Sequence, residues 1–254
     1  MIGLIDSHIH LDDSRLVEDR YDLIDDAENK GVEAFIVPAV TADKFSQVME
    51  LSSNYASVYG ALGLHPYYIN QHTAEDLEKL SVALSHKNVI GVGECGLDFY
   101  LKELDQNKQK LVYEAQVVLA KHYNLPLILH VRGAVDAVFQ VLKKHDYFNA
   151  VMHSFNGSIE QAKQIIEKGV FLGFGPAACN PKATKLKSLL EFVPAESMLL
   201  ETDAPDQPFY DKQGERNLPV DLLRVNQEIA KIKQMDSIEL AQQTTSNATR
   251  LFNL

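Results

Sequence analysis

The 254 residues carry 24 Lys plus Arg against 35 Asp plus Glu, a formal net charge of −11, with 46% hydrophobic and 23% charged residues. That length allows one large domain or two small ones; the composition excludes wholesale disorder, and the acidity argues against a broad basic face that coats nucleic acid. Two cysteines, Cys95 and Cys179, are too few for a secreted disulfide scaffold and suit a reducing, cytoplasmic setting.

In chain order, the first short apolar run is residues 3–9. Its context, MIGLIDSHIHLDD, has neither the basic start nor the long apolar stretch of a secretory leader. Further runs follow at 33–40, 58–65, 89–97, 126–131, 150–155, 170–175 and 198–202. Rich in Val, Ile, Leu and Ala, the eight runs predict parallel strands buried on both faces. Amphipathic stretches separate them. Thr73-Ala74-Glu75-Asp76 reads as an N-terminal cap before a helix at 77–84. Residues 108–123 have an apolar period near 3.6, Ser158-Ile159-Glu160-Gln161 fits a capping box, and Gly169 stands where a helix end wants a left-handed residue. A last helix opens at Asp236. No window approaches 18 uncharged apolar residues, so no membrane span is expected.

Eight strand–helix units in this length predict a (β/α)8 TIM barrel, one domain over residues 1–254, with a doubly wound open sheet as the rival. No GxGxxG follows the first strand, as a dinucleotide fold would require. The longest irregular stretch, 204–219 (APDQPFYDKQGERNLP), follows the eighth strand, where a barrel places an active-site loop.

The strand ends carry the chemistry. His8 and His10 close the first strand, His65 the third, Glu94 the fourth, His130 the fifth, His153 the sixth and Asp203 the eighth. Residues i and i+2 of a strand share a face, so His8 and His10 can meet on one ion. A lone HxH is a weak signal. Metal-capable side chains at six of eight strand ends are a strong one, because a barrel gathers those ends on one rim. His8, His10, Glu94, His130, His153 and Asp203 exceed the three protein ligands of a mononuclear catalytic zinc. Two divalent ions (Zn, Mn or Mg) sharing Glu94 would use all six, with His65 in reserve.

Six segments, DSHIHLD, GLHP, GECGLD, ILHVR, HSFNG and ETDAP, resemble in order and strand position the TatD-like metal-dependent hydrolases of the amidohydrolase superfamily. The resemblance implies the same six metal ligands, with Glu94 as the bridge, and a substrate or supporting role for His65. Relatives often carry an acid between Asn and Pro where this chain has Leu218, so the match leans toward the less characterised members of the family.

Asp203 is the expected general base, with Glu94 as its catalytic partner at the bridge. Arg132, two residues beyond His130, can clamp a phosphate oxygen or pair with Asp136. Asp98 can orient a ligating histidine, and Arg216 and Asn217 can line the mouth from the last loop. Cys95 faces away from Glu94; His72, His86, His122 and His145 read as solvated. Tyr67, Tyr68, Phe99, Tyr100 and Phe174 lie near strand ends and can stack on a base. These residues point first to hydrolysis of a phosphodiester, as in a deoxyribonuclease trimming single-stranded DNA ends. An amide, ester or lactone hydrolase is the alternative, and a binding barrel without chemistry the third. The only basic cluster, KATKLK at 182–187, is modest, which favours a short or end-bound substrate. No obligate protein partner is evident.

Overall fold

The computed structural model describes residues 3–254. Eight parallel strands, β1 (Leu4–Asp6), β2 (Val32–Pro38), β3 (Val58–Leu62), β4 (Val89–Asp98), β5 (Leu127–Arg132), β6 (Ala150–Met152), β7 (Phe171–Phe174) and β8 (Met198–Leu200), pair in sequence order. Ser7 N–H donates to Leu200 O at 3.0 Å and Asp203 N–H to His8 O at 2.9 Å, drawing the last strand against the first. This is the barrel, not the open sheet.

Helices alternate with the strands: α1 (Arg20–Asn29), α2 (Phe45–Asn54), α3 (Ala74–Ala83), α4 (Gln106–Tyr123), α5 (Val135–His145), α6 (Ile159–Ile166), α7 (Thr184–Phe192) and α8 (Leu222–Lys233), with α9 (Ser237–Phe252) last. The expected caps are present. Thr73 and Ser158 each close a capping box, which satisfies N–H groups that a helix start leaves free. Gly169 adopts φ +83 just after α6. Among the described residues no helix is long and apolar enough to cross a membrane.

Alternation along the strands splits the core in two. Ile5, Ala34, Ile36, Ala61, Ile128, Val151, Phe171 and Leu199 fill the barrel, where Leu251 and Phe252 of α9 join them. The opposite strand faces, with Phe35, Val37, Leu62, Val92, Leu129, Met152 and Leu200, pack in the larger layer that includes the surrounding helices. A barrel interior filled by side chains leaves its C-terminal rim for chemistry.

The strands are shorter than their apolar runs suggest. β1 ends at Asp6, β3 at Leu62, β6 at Met152 and β8 at Leu200. His8, His10, His65, His153 and Asp203 therefore sit in the turns just beyond the strands. Apolar character continues past the ladder because the rim turns are themselves buried.

Candidate metal centre

The segments after β1 and β8 are laced together, and this brings His8, His10 and Asp203 side by side. Asp6, fully buried, accepts from the N–H groups of His8 (3.2 Å) and Thr202 (3.1 Å) and bonds Thr202 Oγ1 at 2.6 Å. Burial pushes its carboxyl up to about 8, against the pull of the Thr202 bonds. His10 N–H donates to Ala204 O at 2.8 Å. Asp203 itself takes φ +58, a left-handed conformation tolerable for Asp in so tight a turn.

Glu94 is aimed by an irregularity in β4. Its pairing with β5 steps from Val92↔Leu127 to Cys95↔Leu129, three residues against two, so a bulge falls at Gly93-Glu94. Gly93 is required there, since a Cβ would lie 2.6 Å from the Ile128 Cβ. Glu94 N–H then donates to Ala39 O across the barrel at 3.0 Å.

The two oxygens of Glu94 face two different groups of donors. Oε2 lies 3.2 Å from His8 Nε2 and 3.5 Å from His10 Nε2, and both nitrogens lie 3.5 Å from Asp203 Oδ1. Oε1 lies 3.0 Å from His130 Nδ1, 2.9 Å from His153 Nε2 and 3.0 Å from His65 Nε2. Three overlapping triads of donor atoms result: His8–Glu94–His153, His8–His10–Asp203 and His65–Glu94–His130.

The donor chemistry fits a divalent cation. Ligands at ~2.1 Å around a tetrahedral ion stand about 3.4 Å apart, which is the spacing of these atoms. His8 Nε2 and His10 Nε2 are 3.2 Å apart, an approach of two ring nitrogens that a shared cation makes favourable. The electrostatics ask for the same thing. Burial alone would raise Glu94, but the imidazoles of His65, His153 and His8 outweigh it and hold the carboxylate well below its usual range. Burial likewise opposes ionisation of Asp203, and the His10 contact and neighbouring imidazoles prevail. In return the two carboxylates lift His10 to about 9, and Glu94 with Glu201 lifts His153, against the burial that would lower both. The two buried anions need positive charge beside them, which protons on His10 and His153 give and a divalent ion would give in their place.

Around this ring the supports are specific. His130 Nε2 lies 3.3 Å from Asp98 Oδ2, so a proton on Nε2 bound by Asp98 leaves the Nδ1 lone pair facing inward. His65 is held the other way. Its Nδ1 accepts Tyr67 N–H at 3.0 Å, and burial lowers its pKa to about 4. The neutral ring thus carries its proton on Nε2 and presents an N–H, not a lone pair, to the centre. Gln207 Nε2 donates to Asp203 Oδ2 and, at 2.7 Å, to Ser154 Oγ. Gln207 and Glu201 escaped the sequence reading. Glu201 stood in plain view in ETDAP, two residues before Asp203, but on a run read as strand interior.

Two cavities meet at the ring. One of about 460 Å³ runs past Arg132, Phe155, Phe174, Leu186 and Gln207. Another of about 360 Å³ runs past Asp12, Arg15, Lys44, Tyr67 and Tyr68. His10, His65, Glu94 and Asp206 belong to both walls. The Arg132 guanidinium lies 4.0 Å from the centre of the exposed Tyr100 ring, with Nη1 3.8 Å from Asp98. It does not pair with Asp136, which instead accepts from Gln161.

Several expectations are corrected. Asn217 is fully buried; its Nδ2 donates to Thr202 O at 2.6 Å, so it staples the last loop and does not line the mouth. Arg216 is engaged by Asp19 and by Arg15 O. His72 is buried, its Nε2–H donating to His65 O at 2.9 Å. His145 is half-buried against Glu114 at 2.7 Å. Lys185 of the basic cluster reaches Asn156 O at the rim of the larger cavity.

Known proteins resemble this chain along its whole length. The family model described as TatD related DNase matches residues 5–253. The uncharacterized metal-dependent hydrolase YjjV of Escherichia coli is 37% identical over 253 residues, covering 98% of each chain. Its crystal structure superposes with a TM-score of 0.96 over the full length of both. A protein of Erwinia tasmaniensis named 3'-5' ssDNA/RNA exonuclease TatD is 30% identical, covering 99% of this chain and 100% of its own. With its donor ring on the rim of a (β/α)8 barrel, the chain belongs to the TatD-related family of metal-dependent hydrolases.

Proposed function

We propose that this protein, acting as one domain, is a phosphodiesterase that trims single-stranded DNA ends at a centre of two divalent ions. The carrying observation is that Glu94 turns one oxygen to His8 and His10, whose nitrogens also face Asp203, and the other to His130, His153 and His65. A carboxylate so placed would suit two neighbouring ion sites. So many imidazoles suit Zn or Mn better than Mg. Divalent ions held by these residues would supply Lewis acidity, acidifying water and offsetting charge on a phosphoryl oxygen.

The chain's own residues do the rest. Asp203 accepts a proton from the attacking water, its Oδ2 fixed by Gln207 so that Oδ1 faces the ring. Arg132, half-exposed on the cavity wall, presents a planar fork to a non-bridging phosphate oxygen. His65 Nε2–H, 3.0 Å from Glu94 Oε1, supports that carboxylate from the wall the two cavities share. Those cavities, one on each side of the ring, suit a diester with an organic group on both sides. Tyr67, exposed in the smaller one, is placed to stack on a base. Acidic net charge and pockets of nucleotide size favour an end over a long duplex footprint. The Erwinia relative, named an ssDNA/RNA exonuclease, supports the same substrate class. Two free, buried thiols suit a cytoplasmic setting.

The test is a screen of the metal-loaded protein against bis-p-nitrophenyl phosphate, carboxylic esters and lactones, with Asp203→Ala as control. Diester hydrolysis lost in the variant supports the reading. Turnover of esters or lactones without diester hydrolysis would place the enzyme with the carbonyl hydrolases.

A further inference from the structure

His130 has its outward nitrogen held by Asp98; His153 has the same need, and one residue placed to meet it. His153 Nε2 points inward, 2.9 Å from Glu94 Oε1, while Nδ1 is buried with no hydrogen-bond partner. Behind it lies Glu201, fully buried. Glu201 Oε1 accepts Ser154 N–H at 2.6 Å and stands 3.7 Å from His153 Nδ1. Its Oε2 is also buried and unpartnered. An unsatisfied buried ring nitrogen is costly, and a proton on Nδ1 shared with Glu201 Oε1 satisfies it, that oxygen keeping a second lone pair beside the one that takes Ser154 N–H. Closing 3.7 Å to the ~2.9 Å of an N–H···O bond needs a movement of under about 1 Å.

The neighbouring strand makes room for the carboxylate. A Cβ at Gly173 would fall 2.3 Å from Glu201 Oε2 and 3.1 Å from the His153 Cα. Only glycine lets the β7 backbone pass so close to both groups.

We propose that Glu201 is a positioning residue. It accepts Nδ1–H of His153, fixes that tautomer, and so holds the Nε2 lone pair toward an ion shared with Glu94. The inference rests on reading the ring as a two-ion centre and on nothing about substrate.

The test is metal binding without substrate. Zn²⁺ or Mn²⁺ is titrated in competition with a chromophoric chelator into wild type, Glu201→Ala, Glu201→Gln, His153→Ala and the double variant Glu201→Ala/His153→Ala. Glu201→Ala is expected to weaken one of two ions about 10–100-fold, the range for outer partners of ligating histidines, and to leave the other unchanged. Glu201→Gln, isosteric and still an acceptor, recovers much of that loss. In the His153→Ala background Glu201→Ala adds nothing, whereas a merely structural role would add in full. Should Glu201→Ala not fold, a measurable weakening of that one ion in Glu201→Gln, up to about tenfold, supports the proposal. Wild-type affinity in the Glu201 variants, or full additivity with His153→Ala, overturns the proposal. One ion or none in wild type would instead overturn the two-ion reading on which it rests.

Discussion

Asn217→Ala separates a structural from a substrate role for the loop after β8. The Asn217 side chain is fully buried, and its Nδ2 donates to Thr202 O at 2.6 Å and to Gln207 O at 3.4 Å; its Oδ1 accepts Leu218 N–H at 3.1 Å. Leu218 N–H keeps a second acceptor in Asp221 Oδ2, so the principal orphan left by truncation is the Thr202 carbonyl. An orphaned buried acceptor costs about 1–3 kcal/mol, and lost packing brings the expected total to roughly 2–3 kcal/mol. For a chain of this size that lowers Tm by about 4–12 °C. The assay is thermal unfolding of the wild type and variant at one fixed metal concentration, beside KM for a phosphodiester. An unchanged Tm with a raised KM would refute the structural reading and return Asn217 to the substrate.

Arg132→Ala should raise KM for a phosphodiester about 10–100-fold, the worth of a hydrogen bond to a charged group, while leaving neutral ester probes unaffected. A fall in kcat at unchanged KM would show that the contact is made only in the transition state. Chelation should lower Tm, because an ion at 100 times its Kd stabilises the folded state by about 2.7 kcal/mol, or roughly 5–11 °C here; an unchanged melt on chelation would contradict the ring as a tight metal site. Burial pushes the Cys95 thiol far up and that of Cys179 to about 12, so neither is alkylated by iodoacetamide at pH 8 until the protein unfolds. Rapid native labelling at either position would refute their burial.

The barrel was legible because parallel strands buried on both faces leave continuous apolar runs, and eight such runs can be counted. Strand ends were not. At His8, His153 and Asp203 the apolar pattern continues into turns held by Asp6, Thr202 and cross-barrel backbone bonds, which periodicity does not register. The inward donors were readable as residue types at recurring positions. Their supports were less so. Asp98 was found by its place beside the strand, whereas Gln207 and Glu201 act through tertiary neighbours 4 and 47–53 residues away. Asn217 was misjudged because a loop amide looks the same in sequence whether it faces solvent or a buried carbonyl. His72 was misjudged likewise, its buried place fixed by the His65 carbonyl.

The most direct measurement of the central claim is the fate of linear and circular single-stranded DNA with the Mn²⁺- or Zn²⁺-loaded protein. A metal-dependent phosphodiesterase that works from chain ends shortens the linear strand progressively and leaves the circle intact. A circle nicked as fast as the linear strand, or both left whole by fully loaded protein, would contradict it.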